Sequence, residues 1–292
     1  MIGVRVSLFI DTRYLANLAN LANLARIAVF GTGAFVLVLI GCARANAADA
    51  LNFPPSNFDI LSADLGQIIG HGHYTVDQTA GTRILHGENR YLNGEYDTEE
   101  DKLIIVDDRA LPELVSFRHD FFNADGSPSM ESRLEIASGL GVCGKAVGGK
   151  LELVSEQLRI PEDTYAGASV LLPIQQFVSH GDRSETLKLH VFNCAPTPKL
   201  IAVDVKPEPG PQTWVDYPGE LEKIDIKANF GFWTVVLQPF IPKLGAWFDP
   251  SQDMLLVGAQ LQRYYKGAKI ILVRKREASI SKAPTVAGTP PP

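Results

Sequence analysis

The sequence is poor in cysteine and lacks the familiar catalytic motifs. Its 292 residues include three cysteines and no C-x-x-C pair, which argues against a structural zinc site. No G-x-S-x-G or H-E-x-x-H motif occurs, so the usual signatures of serine hydrolases and zinc proteases are missing. Gly144–Lys150 comes close to a P-loop, but Leu151 stands where Ser or Thr must bind magnesium. We interpret this segment as a glycine-rich hairpin.

Basic residues are also scarce beyond the N-terminal region. The first 47 residues hold four arginines and one aspartate, which leaves 23 of the 27 basic and 32 of the 33 acidic residues, a net charge of −9. Because like charges repel, such a chain is a poor ligand for phosphate backbones and for anionic membrane surfaces. We therefore predict no nucleic-acid partner.

The longest apolar run is too short to span a bilayer. Ile27–Ile40 is an uncharged stretch of 14 residues preceded by Arg26, whereas a membrane span needs about 20 residues. A basic residue, a short apolar run and then small residues, here Ala45-Asn46-Ala47, are typical of a secretory signal. We predict a signal peptide over residues 1–47 and a periplasmic or secreted mature chain.

A second processing site overlaps the first. Leu39-Ile40-Gly41-Cys42 resembles a lipobox, which would end the signal at Gly41 and place a lipid on Cys42. An uncleaved signal that serves as an anchor is the third alternative. Membrane attachment is accordingly expected only through an uncleaved signal or a lipidated Cys42.

Two cysteines remain after the signal, Cys143 and Cys194. In an oxidising compartment two such thiols often pair. The bridge would close a loop of about 50 residues and stabilise the fold by roughly 3–4 kcal/mol in the chain-entropy model. Two buried, unpaired thiols are the alternative.

Period-two alternation dominates the chain from about Ile68 onward. In Met130–Ile136, the charged residues Glu131, Arg133 and Glu135 share one face, and Met130, Leu134 and Ile136 share the other, which is typical of a half-buried strand. Similar patterns occur at 187–191, 201–206, 223–228, 255–262 and, as a more buried run, at 270–273. The best helical candidate is short, Leu172–Val178.

These strands are separated by turn dipeptides such as Asn93-Gly94, Asp125-Gly126 and Gly148-Gly149. We predict an all-β, predominantly antiparallel fold, which is a curved sheet, an open barrel or a sandwich with one or two short helices. It forms a single β-rich domain over residues 48–277. A disordered, Pro-rich tail follows at 278–292.

Aromatic residues are concentrated between residues 214 and 265. A strand that is apolar on both faces can line the core with one face and a ligand cleft with the other. The alternative is that these aromatics only build the core. Candidate contacts for an apolar or lipid-like ligand are Trp214, Phe232, Trp233, Trp247 and Tyr264.

Polar candidates are weaker. His71 and His73 share one strand face and are weak candidate metal ligands, so we assign no metal and no cofactor. We interpret the acidic runs Glu99-Glu100-Asp101 and Asp107-Asp108 as solvated turns. The alternative is that they include the carboxylate pair of a hydrolase, which needs two acids facing each other at a defined separation.

Three C-terminal segments together resemble a known family. Leu244–Pro250, Met254–Leu261 and Lys266–Leu272 follow one another as a Trp-bearing strand, a polar turn, a strand and a final strand begun by glycine. In this they resemble the closing strands of the DUF3108 proteins of the bacterial envelope. The resemblance implies an all-β periplasmic protein with a curved sheet around an apolar cleft, and it implies no reaction.

Three functions are compatible with these features of the sequence. Export, β architecture, clustered aromatics and missing motifs favour a non-catalytic envelope protein that holds an apolar ligand or a partner segment in a β cleft. A structural or assembly partner of the cell envelope, binding through an exposed sheet edge, is the second possibility. A secreted carboxylate-dependent hydrolase is the third.

Overall fold

The computed structural model describes most of the chain after residue 55. The described residues are 56–64, 66–79, 81–104, 111–180, 184–210, 212, 214, 217–231, 244–264 and 267–275. They all lie in one compact unit, Arg44–Pro292. The predicted signal peptide, Cys42 and the predicted tail lie outside the described residues. None of the helices in the described ranges is long and apolar enough to cross a membrane.

Most of the described residues are in strands of one large sheet. The strands are β1 (Ser56–Ser62), β2 (Ile68–Thr79), β3 (Thr82–Tyr91), β4 (Tyr96–Ile104), β5 (Glu113–Phe122), β6 (Pro128–Glu135), β7 (Leu140–Val147), β8 (Lys150–Gln157), β9 (Thr164–Tyr165), β10 (Leu187–Cys194), β11 (Pro198–Pro207), β12 (Glu222–Ala228), β13 (Leu244–Asp249), β14 (Leu255–Gln262) and β15 (Lys269–Arg274). Their order across the sheet is β8-β7-β6-β5-β4-β3-β2-β1-β15-β14-β13-β12-β11-β10-β9.

The predicted all-β, antiparallel fold class is confirmed. Neighbouring strands pair antiparallel throughout this order, except that β9 runs parallel to β10. Each alternating segment of the sequence lies in a strand, and the turn glycines Gly94, Gly126, Gly148 and Gly149 all have positive φ. Glycine adopts that conformation without steric cost, so these dipeptides end the strands where the sequence indicates.

The sheet curves until strands near its two ends meet. Cys143 on β7 and Cys194 on β10 form the predicted disulfide, with 5.6 Å between their Cα atoms. The Tyr165 hydroxyl on β9 donates a hydrogen bond of 2.6 Å to the carbonyl of Pro112, just before β5. The end strands β8 and β9 are not paired with each other. The sheet is therefore strongly curved but not closed by backbone hydrogen bonds.

A short helical segment lies on the concave side of this sheet. A 3-10 turn at Gly167–Val170 leads into helix α1, Leu171–His180; we call residues 167–180 the helical segment. Leu172–Gln175 are four consecutive buried residues, and since successive helical residues point about 100° apart, the start of α1 is covered on every side. The predicted helix at Leu172–Val178 is confirmed.

The main core surrounds the helical segment. Leu172 and Ile174 of α1 belong to the same apolar cluster as Phe58 and Ile60 of β1. Next to them on α1, the Gln175 side-chain amide donates a hydrogen bond of 3.0 Å to the carbonyl of Met254. The helical segment thus fills the space that the curved sheet encloses.

Candidate functional site

Three acidic side chains point from β4 into this interior. Asp97, Glu99 and Asp101 alternate along the strand in the same direction as the core residue Leu103, and their exposed fractions are 1%, 7% and 0%. The interpretation of the acidic run at 99–101 as a solvated turn is therefore wrong for Glu99 and Asp101, while Glu100 points to the exposed face. Residues 107 and 108 lie outside the described residues.

Two of these carboxylates hold the start of the helical segment. Glu99 Oε1 accepts a hydrogen bond from the backbone N–H of Ala168, and Asp101 Oδ2 accepts one of 2.7 Å from the N–H of Ser169. The first N–H groups of a helix have no partner within the helix and need an acceptor when buried. Here the acceptors come from a strand almost 70 residues earlier in the sequence, with sequence separations of 69 and 68.

Burial makes this carboxyl pair retain a proton. Loss of solvation, and then the charge of Glu99, raise the pKa of Asp101 well above its usual range. Burial also raises the pKa of Glu99, although the charge of His119 and the hydrogen bond from Ala168 partly oppose this. Two neighbouring carboxyls in a low-dielectric interior cannot both ionise without a large energetic cost. The pair therefore binds a proton more tightly than free carboxyls do.

Asp97 forms a polar network beside this pair. Its Oδ1 accepts a hydrogen bond of 2.8 Å from the Asn89 amide and lies 2.9 Å from His119 Nε2. Burial lowers the pKa of His119, but the hydrogen bond to Asp97 and the nearby carboxylates outweigh it, and the net pKa is raised. Arg263 Nη1 lies 2.5 Å from Glu95 Oε2, and its Nε lies 3.8 Å from Asp97 Oδ2. The cations thus offset the charge of a carboxylate that is otherwise buried.

The chemistry open to this cluster is limited by what its acids already bind. A carboxylate-dependent glycosidase needs its two acids on opposite sides of the bond to be cleaved, several Å apart. Glu99 and Asp101 lie side by side on one strand and accept hydrogen bonds from backbone N–H groups. This arrangement is suited to holding a helix in place.

We predict that the buried proton makes stability depend on pH. The folded-state pKa of Asp101 is raised, so its contribution is complete below the unfolded value near 4 and is lost as pH rises through the raised pKa. Asp101→Asn removes this titration. In urea unfolding between about pH 4 and 9, the variant should gain stability relative to wild type as pH rises. The stability of Glu100→Gln, a change on the exposed face of β4, should vary with pH as that of wild type does. If the stability difference between Asp101→Asn and wild type were the same at every pH, the buried proton would not be on Asp101.

The five candidate aromatics do not all lie together. Trp214 packs edge-on against Trp247, with ring centroids 3.7 Å apart, in a small second cluster with Leu221 and Val257. Since Ala246 and Phe248 on either side of Trp247 belong to the main core, this cluster lies on the convex face of the sheet. Tyr264 instead lies 6.0 Å from the ring of Phe121.

Phe232 and Trp233 lie outside the described residues. Ligand contact by any of the five aromatics therefore stays a prediction. Trp214 and Trp247 form one pair on the convex face, whereas Asp97 of the polar network is buried in the interior. Tyr264 follows directly on Arg263 of that network.

The histidine pair is engaged by neighbouring side chains. His71 Nδ1 lies 2.7 Å from Asp59 Oδ1 and 3.1 Å from Lys275 Nζ, and His73 Nδ1 lies 2.8 Å from Asn57 Oδ1. A lysine ammonium beside His71 is unfavourable for binding a cation. Over the described ranges, no group of three or more His, Cys, Asp or Glu side chains is arranged to hold a metal.

Comparisons with known proteins give one structural similarity. No protein-family model matches the chain, and no curated protein does. Among solved structures, it is similar to a beta-barrel-like protein of the domain of unknown function DUF1849 from Brucella abortus, with a TM-score of 0.40 and 11% sequence identity over 76% of this chain and 95% of that chain. The resemblance of the C-terminal strands to the DUF3108 proteins is not tested by this similarity and stays a prediction.

Proposed function

We propose that the protein is an exported, non-catalytic binding protein that holds an apolar, lipid-like ligand on the concave side of its sheet. The ligand takes the place that the helical segment occupies in the free protein. The observation that carries this proposal is the helical segment itself, a short stretch of the same chain whose buried Leu172, Ile174 and Val178 contact the apolar walls of the curved sheet. An apolar chain can make the same contacts.

The helical segment is held both by hydrogen bonds and by the burial of its apolar side chains. The hydrogen bonds include those from Ala168 and Ser169 to the carboxyl pair on β4 and the one from Gln175 to Met254. A buried hydrogen bond contributes only about 1 kcal/mol net, whereas each buried methylene of a ligand contributes about 0.8 kcal/mol. Displacement also removes the burial of Leu172, Ile174 and Val178, which is worth about 1.5–3 kcal/mol for each side chain. A long acyl chain competes because its own methylenes cover the same apolar walls.

Access to the interior does not require breaking the sheet. The end strands β8 and β9 are not paired with each other. The curved sheet can therefore open between β8 and β9 while the backbone hydrogen bonds between the other strands stay intact. The disulfide between β7 and β10 limits how far it opens. This combination suits a protein that takes up a ligand without unfolding.

The proposed compartment rests on the sequence and on the disulfide. The apolar run of 14 residues followed by Ala45-Asn46-Ala47 has the order of a secretory signal. A structural disulfide, here Cys143–Cys194, is typical of periplasmic and secreted proteins. Lipidation of Cys42 is the alternative to cleavage after Ala47, and the mass of the mature N-terminus distinguishes them.

The test is a fluorescence titration with an anthroyloxy-labelled stearate. Wild type should bind the probe, and Glu99→Ala should bind it about tenfold more tightly, because loss of one buried hydrogen bond frees the helical segment by about 1.4 kcal/mol. Glu100→Ala removes the neighbouring carboxylate on the exposed face and should match wild type. Absence of binding, or weaker binding by Glu99→Ala than by Glu100→Ala, would contradict the proposal.

A further inference from the structure

Strand β8 leaves one long edge of the sheet uncovered. Among the described strands it is the last in the sheet order, and the one strand it pairs with there is β7. Seven of its eight residues are exposed, among them Leu153 at 55% and Val154 at 44%. Most proteins protect such an edge with proline, bulges or a covering segment, because it can pair with another strand.

The hairpin geometry shows which backbone groups point outward. Gly148 and Gly149 both have positive φ, at 59° and 79°, and connect Val147 to Lys150 as a two-residue hairpin whose flanking residues form a hydrogen-bonded pair. The Leu158 N–H, in the same alternation as Lys150, bonds to the Gly139 carbonyl. Even-numbered residues of β8 therefore bond to β7.

The odd-numbered residues of β8 have the opposite orientation. The N–H and C=O groups of Leu151, Leu153 and Ser155 point away from β7, toward the open edge. The side chains of these three residues lie on one face of the strand, because alternate residues point the same way. A second antiparallel strand can therefore be added at this edge with full hydrogen bonding.

We propose that this edge pairs with the same edge of a second copy of the chain, related by a two-fold axis at Leu153. In this register Leu153 faces Leu153 of the second copy, and Leu151 faces Ser155. Lys150 faces Glu156 twice, once on each side of the axis. Neither Lys150 nor Glu156 has an ion-pair partner among the described residues of its own chain, so the two charges are free to pair across the axis.

Neighbouring registers are disfavoured by charge. An axis at Glu152 would place that carboxylate opposite itself, and an axis at Val154 would place Glu152 opposite Glu156. Like charges directly opposite each other destabilise an antiparallel pair. The axis at Leu153 avoids both and uses the full length of β8.

The test is sedimentation equilibrium of the purified protein over a wide concentration range. Wild type should form dimers, Lys150→Glu should raise the dimer dissociation constant about tenfold or more, and Lys150→Glu combined with Glu156→Lys should restore it, because the swap rebuilds both opposite-charge pairs. Lys269→Glu makes the same charge change on β15, in the middle of the sheet, and should leave the dissociation constant unchanged. Far-ultraviolet circular dichroism checks that each variant is folded.

Three results of the sedimentation experiment would overturn the proposal. They are a monomer at every concentration, a dimer that the charge reversal leaves unchanged, and a charge swap that fails to restore a dimer lost in Lys150→Glu. Hydrogen exchange supplies an independent readout, since the amides of Leu151, Leu153 and Ser155 should become protected as the dimer forms. Protection of the same amides in a monomer would mean that the chain covers its own edge, which also rules the dimer out.

Discussion

Replacing both bridged cysteines should lower the free energy of unfolding by about 4 kcal/mol. Cys143 and Cys194 are 51 residues apart, and cross-linking a loop of that length removes roughly this much chain entropy from the unfolded state. The bridge joins β7 and β10, near opposite ends of a sheet whose end strands are not paired. Urea unfolding of Cys143→Ala combined with Cys194→Ala measures the effect.

Reduced wild type is the control for the two substitutions, because it lacks the bridge but keeps both cysteine side chains. Alanine is used because Cys143 is buried, where a serine hydroxyl would add a second cost. Wild type reduced with a thiol reagent should unfold at nearly the same urea concentration as the double variant. A loss below about 1 kcal/mol, or free thiols at both positions in the native protein, would contradict the structural role of the bridge and weaken the case for export.

Gly167→Ala should cost about 3 kcal/mol or more. Gly167 begins the helical segment with φ of +50°, a conformation that costs other residues about 1–2 kcal/mol. A Cβ at this position would overlap the Glu99 carboxylate and lie 2.7 Å from Phe117 Cε2, and overpacking of a buried site adds about 1–3 kcal/mol. The same change should loosen the helical segment and therefore strengthen probe binding.

A matched control separates backbone strain from the overlap. Gly126 also has a positive φ, of 80°, but no atom lies within 4 Å of a Cβ built there. Gly126→Ala should therefore cost only about 1–2 kcal/mol and leave probe binding unchanged. Equal losses for the two variants would mean that the helical segment is not packed against Glu99 as described.

The strands could be predicted because their signal is local. Alternation in segments such as Met130–Ile136 follows directly from the two-residue period of a strand. The turn glycines and the short helix were equally local, and a single pair of cysteines after the predicted signal peptide permitted one bridge. The order of the strands across the sheet was not predictable, since it depends on contacts between residues far apart in sequence.

The buried acids could not be predicted for a related reason. The partners of Glu99 and Asp101 are backbone N–H groups of Ala168 and Ser169, and because nearly every residue carries such a group, the sequence does not mark which ones bind. One local signal was present, since Asp97, Glu99 and Asp101 share a strand face with Leu103. If the segment is taken as a strand, this pattern places the three acids on the same face as an apolar residue, which would indicate that they are buried.

The aromatic set shows the limit of a composition argument. Trp214 and Trp247 lie within the same aromatic-rich region of the sequence and are in contact, yet they pack on the convex face of the sheet. Their neighbour in the candidate list, Tyr264, packs against Phe121 of β5. A cluster in sequence therefore did not correspond to one surface, because alternate residues of a strand point to opposite faces.

Hydrogen exchange of residues 167–180, with and without the labelled stearate, tests the central claim most directly. The N–H groups of Ala168 and Ser169 are hydrogen-bonded to buried carboxyls in the free protein and should exchange slowly. If an apolar ligand replaces the helical segment, saturation with the probe should make these amides exchange faster while those of β4 stay protected. Binding that leaves the helical segment as protected as before would contradict the claim.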